Sequence, residues 1–340
     1  MNIQHIINKV SSGIDLNFEE SKFCMNEIMS GKLLPSQFGV IMASLSIKGE
    51  TAEEIAGMAA VMREFSIKIK GKENAIDLCG TGGSGLKWFN ISTASAIVVS
   101  ASGIPVAKHG NRAASGNSGS ADVLEELGIK ISIEPKDVER CLGEIDLTFI
   151  FAQTFHPSMK FAAPLRKEIG IRTIFNFLGP LTNPAGVKKQ VIGTPNKDFA
   201  KKIAQAGKKL NLDRIITVSG ESGSDEIEID KNTFIYDSKE DFSEKIIESS
   251  KNYGSSSFLE VNSPKESAQK ILSCFEMKFE SSDEEKKSIL NSISINSAMA
   301  INLANEEKSF DECIQIAKEN IFNGNALKKL KQLKDFTNKS

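Results

Sequence analysis

The chain is poor in the residues that most often announce a site. Its 340 residues include one Trp, three His and five Cys, and 42 Lys plus Arg stand against 44 Asp plus Glu, a formal net charge of -2. The cysteines (Cys24, Cys79, Cys141, Cys274, Cys313) are odd in number and form no Cys-x-x-Cys pair. That excludes a disulfide framework or a zinc site and reads as buried thiols in a reducing cytoplasm. No apolar run approaches the ~18 residues of a spanning helix; the best, Ala96 to Ala107, is broken by Ser100, Ser102, Gly103 and Pro105. The N-terminus, MNIQHIINKV, lacks a basic stretch followed by a clean apolar one, so no signal peptide is expected. Near neutrality argues against a broad nucleic-acid footprint, so a bound polyanion must be held by a local pocket. What is there is ordinary soluble composition, 40% hydrophobic and 25% charged, at a length that allows one large domain or two.

The first seventy residues read as helices. Asn17 and Glu20, and again Thr51 and Glu54, have the spacing of a capping box, which satisfies two orphan N–H groups at a helix start. Between them Pro35 opens a segment with Phe38, Ile41, Met42 and Leu45 on one face, and Gly49 ends it. The pattern changes near Lys70. Strand-like runs at Ala75–Cys79, Ile104–Ala107, Ile129–Ile133, Leu147–Ala152, Gln190–Gly193 and Ile215–Ser219 alternate with helical ones at Ala121–Leu127, Pro135–Leu142 and Lys197–Leu210. This rhythm predicts an α/β fold: a small N-terminal helical domain, then a larger α/β domain with a mostly parallel central sheet. The expected division is 1–70, joined by helices from about 158–186, and 71–340. Ser249–Ser257 reads as a loop, and the Lys-rich end, Lys328 to Ser340, as a solvated helix face with a frayed tail.

Two loops carry the chemistry. Cys79-Gly80-Thr81-Gly82-Gly83-Ser84-Gly85 follows the first strand, and Asn90-Ile91-Ser92-Thr93 opens a helix. Glycines let backbone N–H groups approach an anion and the helix N-terminus adds partial positive charge, while Ser92 and Thr93 offer hydroxyls to phosphate or to a magnesium shell. The loop is neither a Walker loop nor a GxGxxG fingerprint, and alone it reads equally well as a tight βα turn. The second loop, Lys108-His109-Gly110-Asn111-Arg112-Ala113-Ala114-Ser115-Gly116 and on to Ser120, follows the next strand. Its Lys, Arg, hydroxyls and glycines supply charge-assisted donors. Loops leaving consecutive parallel strands converge at the carboxyl edge of the sheet, where α/β ligands bind.

The motifs DLCGTGG, NIST, KHGNR, GSADVLEELG, HPSMKFAAPLRKEIGIRTIFNFLGPLTNPA and GSDEI occur in that order from Asp77 to Ile227. Together they resemble the anthranilate phosphoribosyltransferases of tryptophan biosynthesis, a family that shares its fold with the pyrimidine nucleoside phosphorylases. The resemblance implies transfer of a phosphoribosyl group from 5-phosphoribosyl 1-diphosphate to anthranilate, with Mg2+ as cofactor, by a cytoplasmic homodimer that binds neither nucleic acid nor membrane. It implies that Gly80, Gly83, Ser84, Asn90 to Thr93, Lys108 to Gly116 and Ser120 hold the phosphoribosyl diphosphate. Asp225, Glu226 and Ser92 would carry the magnesium, although an isolated Asp-Glu pair is usually just solvated. Lys108 and Arg112 would supply positive charge and, with Asp225 and Glu226, form the catalytic set. Gly80, His109, Asn111, His156 and Arg166 would meet anthranilate, Arg166 by bidentate pairing with its carboxylate. His5 reads as structural.

Two positions depart from the family, which usually has Asp at Ser84 and Thr at Trp88. Ser84 replaces a carboxylate acceptor only in part, and Trp88 puts an indole where a small hydroxyl is usual. Compensated repacking and weakened donor binding both fit these changes; the intact KHGNR and Asp-Glu elements favour retained activity. Two other readings stand beside this one: a related phosphoribosyltransferase or nucleoside phosphorylase for another base, and a non-catalytic relative that binds nucleic acid. The net charge of -2 and the retained Asp225 and Glu226 argue against the last.

Overall fold

The computed structural model describes every residue of the chain except 114–116 and 250. The chain opens with four helices, α1 (Ile3–Ser11), α2 (Phe18–Met29), α3 (Pro35–Lys48) and α4 (Ala52–Glu64). Both capping boxes form: Glu20 N–H donates to Asn17 and Glu54 N–H to Thr51, with each glutamate reaching back to the cap N–H. The alternating region follows as β1 (Ile76–Gly80), α5 (Ile91–Ala101), β2 (Val106–Gly110), α6 (Ser120–Glu126), α7 (Pro135–Ile145) and β3 (Leu147–Phe151). Three short helices come next, α8 (Ala152–Phe155), α9 (Met159–Ile169) and α10 (Phe175–Leu178), then β4 (Lys189–Gly193), α11 (Lys197–Lys209) and β5 (Arg214–Gly220). The last third holds β6 (Thr233–Asp237), β7 (Glu244–Ile247), α12 (Pro264–Phe275), α13 (Glu284–Ala304), α14 (Phe310–Phe322) and α15 (Asn325–Lys339).

The sheet runs β3-β2-β1-β4-β5-β6-β7, parallel from β3 to β5 and antiparallel at β6 and β7. From β1 the chain steps outward to β2 and β3, then returns to the other side of β1 as β4. The strand order reverses there, which opens a crevice at the carboxyl ends of β1 and β4. One apolar core, built on α5, α6 and α12 to α15, covers one face of the sheet. A second core joins α1 to α4, α9, α10 and α11 and reaches the sheet through Cys79, Ile192 and Ile215. α9 packs on α2 and α3, and α10 on α4. All five cysteines are free and buried, as expected. Among the described residues no helix is long and apolar enough to cross a membrane.

Two expectations fail. Ile129–Ile133 is not a strand: Ile129, Ile131 and Ile133 are buried in strict alternation, but the segment joins no ladder. It lies along α15, where Lys130 N–H donates to Thr337 Oγ1 at 3.3 Å. Ile129 and Ile131 join the core that holds α15, while Ile133 enters a separate cluster with Val138, Leu142 and Ile150, so the period of two is met by burial without a partner strand. For the lysine-rich end the solvated helix face holds and the frayed tail does not, because α15 continues to Lys339. Ala326, Leu330, Leu333 and Thr337 bury one stripe of α15 against α5 and α7, and Lys331, Lys334 and Lys339 take the outer side.

Candidate active site

Gly80 and Gly193 lie side by side at the ends of β1 and β4. A Cβ on Gly80 would fall 2.5 Å from Asp225 Oδ2, and one on Gly193 would fall 1.7 Å from the Asp225 carbonyl oxygen. The absence of both side chains lets Asp225 sit across the crevice. The glycine loop then turns with Gly82, Gly83 and Gly85 at φ of 67, 80 and 74, a region that costs glycine little. Its Gly82 N–H donates to Asp225 Oδ2 at 3.2 Å, and the Ser92 N–H in the first turn of α5 donates to Glu226 Oε1 at 3.1 Å. The Ser84 side chain also draws the Asp225 pKa down. Ser84 thus sets a hydroxyl, and not a further negative charge, near this carboxylate.

The Asp-Glu loop is held from behind. Glu228 accepts from the Ser222 N–H at 3.0 Å and the Ser224 hydroxyl at 2.8 Å, while the Asn296 amide of α13 grips both the N–H (2.8 Å) and the carbonyl (3.0 Å) of Ile227. Burial pushes the Asp225 carboxyl up. Burial and then the neighbouring Asp225 charge push Glu226 up to about 8. Burial is thus the main cause for both carboxyls, and only Glu226 also feels a like charge, with Lys108 and Arg172 opposing the shifts.

Lys108 comes from β2 and is buried, its Nζ donating to the Leu78 carbonyl at 2.6 Å and to Ser92 Oγ at 3.3 Å. Burial lowers its pKa, and the Asp77 charge opposes that. Asp77, absent from the expected set, is a hub. Its Oδ1 accepts the His109 N–H at 3.1 Å, and its Oδ2 accepts Asn183 Nδ2 at 2.8 Å and Gln190 Nε2 at 3.4 Å. Asn183 belongs to the LTNPA block and also donates to the Ala107 carbonyl, so that block is tied to both β1 and β2. The rings of His109 and His156 stand 5.1 Å apart, each with Nε2 buried and without a partner among the described residues. Burial holds His109 at about 3, with His156 adding to the shift, and holds His156 at about 4; both are neutral imidazoles at pH 7.

In the second loop Ser120 Oγ accepts the Asn111 N–H at 3.2 Å, and Asp122 accepts the N–H groups of Ala113 and Gly119 at 3.0 and 2.9 Å. Arg112 lines the cleft but is already committed, bonding Glu125 at 2.6 and 2.9 Å and Asp122 at 2.9 Å. These partners raise its pKa and consume the charge expected to serve the site. Ala114, Ser115 and Gly116 lie outside the described residues. Arg166 projects from α9 into the same cleft, its guanidinium 5.0 Å from the Phe175 ring centroid, and burial lowers its pKa.

The cleft has a volume of about 850 Å³, room for a donor and an acceptor together. Every described residue expected there lines it except Ile91 and Thr93, which are buried along α5. Trp88 also lines it, packing on the core beneath and pairing as a β-bridge with Glu260. Arg172, which sequence reasoning passed over, brings its guanidinium within 3.4 Å of the Cβ position of Gly83 and draws the Asp225 pKa down. The only signal for it was its place in the HPSMK…LTNPA block.

A parallel sheet with a donor-lined crevice at its switch point, capped by a helical bundle, is the build of a glycosyl transferase. Residues 72–327 match the a/b domain of the glycosyl transferase family and residues 4–66 its helical bundle domain. The chain is 42% identical over 342 residues to the anthranilate phosphoribosyltransferase of Dehalococcoides mccartyi, covering 97% of each, and 40% identical over 340 residues to that of Methanobrevibacter smithii, covering 99% of each. The crystal structure of the Thermus thermophilus enzyme superposes with a TM-score of 0.90 at 31% identity, covering 98% of this chain and 99% of that one. The Saccharomyces cerevisiae enzyme in complex with PRPP and Mg gives 0.90 at 25% identity, covering 99% and 98%. The chain belongs to the anthranilate phosphoribosyltransferase family.

Proposed function

We propose that this chain transfers the phosphoribosyl group of 5-phosphoribosyl 1-diphosphate to the amine of anthranilate, giving N-(5-phosphoribosyl)anthranilate and pyrophosphate. The observation that carries the reading is the Asp225–Glu226 pair, suspended from the Gly82 and Ser92 N–H groups at the switch point of the sheet. Carbon 1 of the ribose gains oxocarbenium character as its bond to the diphosphate oxygen breaks, the amine lone pair forms the new C–N bond, and the acidic ammonium proton this creates passes to the released pyrophosphate or to water. An aryl amine is neutral at pH 7, so no strong base is required, and the work is positioning the reactants and stabilising the leaving group. The neutral imidazoles of His109 and His156 suit the wall of an aromatic pocket, and Gly80, Asn111 and Arg166 line the same cleft, Arg166 to take the anthranilate carboxylate. The glycine loop, Asn90, Lys108, Asn111 and Ser120, which line the cleft, are the groups assigned to the donor.

The donor set at Asp225, Glu226 and Ser92 suits magnesium: hard oxygen ligands, two of them on adjacent carboxyls whose pKa values burial raises. Among the described residues no group of three or more His, Cys, Asp or Glu gathers; Asp225, Glu226 and Ser92 are the residues that would hold the ion. Bound there, magnesium supplies neutralisation of the diphosphate charge. We read residues 1–70 with 158–186 as one lobe and the remainder as the second, in a cytoplasmic homodimer joined through the helical lobe.

The test follows anthranilate fluorescence with phosphoribosyl diphosphate and magnesium, with D225N/E226Q as the control. Magnesium-dependent loss of signal with the wild type and none with the control is the expected result. A folded wild-type chain that leaves anthranilate untouched overturns the assignment.

A further inference from the structure

Asn90 stands where the glycine loop becomes α5, yet its side chain does not cap that helix. Its Nδ2 donates to the Ser118 carbonyl at 2.9 Å, and its Oδ1 accepts from Ser118 Oγ at 2.6 Å and from Ser267 Oγ at 2.7 Å. A carbonyl oxygen can only accept, so the contact with Ser118 O decides which end of the amide is nitrogen. Ser267 Oγ accepts the Asn90 backbone N–H at 3.0 Å, which leaves its single O–H for Oδ1. Both lone pairs of Oδ1 and one N–H of Nδ2 are therefore spent, and one N–H remains.

Ser267 lies on α12, outside every motif of the site, and has no exposed surface. The segment leading to α12 fastens the same two loops. Phe89 N–H donates to the Leu259 carbonyl at 2.8 Å, Val261 N–H to the Lys87 carbonyl at 2.7 Å, and Asn117 Nδ2 to the Val261 carbonyl at 3.2 Å. Residues 259–267 thus bind the end of the first loop to the far limb of the second.

We infer that Ser267 is a positioning residue for the donor: it holds Asn90 in the one amide orientation that offers an N–H, and not a carbonyl, to the oxygens of a phosphorylated ribose. It acts through Asn90 and touches no substrate. The inference rests on the proposed reaction. Without the Ser267 hydroxyl, Oδ1 keeps a single donor and the amide can turn its oxygen toward an anionic ligand, which opposes binding.

Steady-state kinetics and calorimetric titration with magnesium and phosphoribosyl diphosphate on the full chain test this in S267A, S118A and the double variant. Each single variant should raise the donor KM and Kd about five- to tenfold, the worth of one such hydrogen bond. The anthranilate KM and kcat should stay within about twofold, and the double variant should be little worse than the weaker-binding single one, because both act on one amide. S267C, which keeps the volume with a weaker donor, gives the same readout should the alanine variant fail to fold. Unchanged donor affinity in the folded Ser267 variant, fully additive losses, or a uniform loss of all parameters overturns the inference. A wild-type chain that does not bind the donor overturns the proposed reaction and the inference with it.

Discussion

Gly80 ends β1 without a positive φ, so alanine there adds no backbone strain; what it adds is a methyl group in space that Asp225 occupies. The new Cβ would lie 2.5 Å from Oδ2 and 3.3 Å from Cγ, whereas carbon contacts settle near 3.5 Å. The carboxylate must then retreat by about 1 Å, which breaks its 3.2 Å bond to the Gly82 N–H. A hydrogen bond to a charged group contributes ~1.5–3 kcal/mol, so donor affinity in the presence of magnesium should fall about tenfold to a hundredfold. Only a side chain is displaced, so the fold should survive with a cost of ~1–3 kcal/mol. Gly193→Ala separates the two effects: its Cβ would fall 1.7 Å from the backbone carbonyl of Asp225, which cannot swing aside, and this variant should be grossly destabilised. Calorimetric titration of magnesium and phosphoribosyl diphosphate, beside thermal melts, reads both. Wild-type donor affinity in folded G80A would refute the geometry on which the site is built.

Three other predictions concern separate parts of the molecule. His109 and His156 are held to about 3 and about 4, below the ordinary 6.5, so between pH 6.5 and 4 the unfolded chain takes up protons that the native chain refuses. Their contribution to stability is complete above pH 6.5 and is lost as pH falls, by ~1.4 kcal/mol per unit for each ring. Urea melts at pH 7, 6 and 5 should show a shallower loss in H156Q than in wild type, and equal slopes would count against it. Arg166→Lys keeps the charge but not the planar fork, so the anthranilate KM should rise about tenfold or more while the donor KM holds; a matching rise in both would remove Arg166 from the acceptor site. Leu333→Ala should cost ~2–5 kcal/mol by leaving a cavity under α15, against less than ~0.5 kcal/mol for the exposed Lys331→Ala, and indistinguishable melting temperatures would return this segment to a frayed tail.

Much of the fold was legible because its signals are local. Asn17 with Glu20 and Thr51 with Glu54 cap their helices within four residues of chain. The step from apolar β1 into glycines and then Asn90 marks a strand, a turn and a helix without reference to anything distant. The phosphate loops and the Asp225–Glu226 pair were legible for a different reason, the order and company of their motifs. Pairing was not legible. Ile129–Ile133 alternates as a strand does, but a ladder needs a neighbour and this segment meets a helix. Arg112 reads as a free cation until Glu125 and Asp122 are found against it. Asp77 reads as an odd polar residue in a buried strand until Asn183 and Gln190 arrive from more than a hundred residues away.

The last third carried almost no signal, and there the tertiary structure decided most. α13 is buried nearly all round and rich in small polar residues, so no apolar stripe identifies it, yet its Asn296 grips the carboxylate loop. Ser267 is one serine among many until it lies 2.7 Å from Asn90. The sequence by itself determined where the backbone turns, where helices begin and which side chains bring charge and hydroxyls to the edge of the sheet, because each of these depends on a few consecutive residues. Only the fold decided which of those groups remain free to meet a ligand, because a hydrogen-bond donor or an ion is spent or available according to what lies beside it in space.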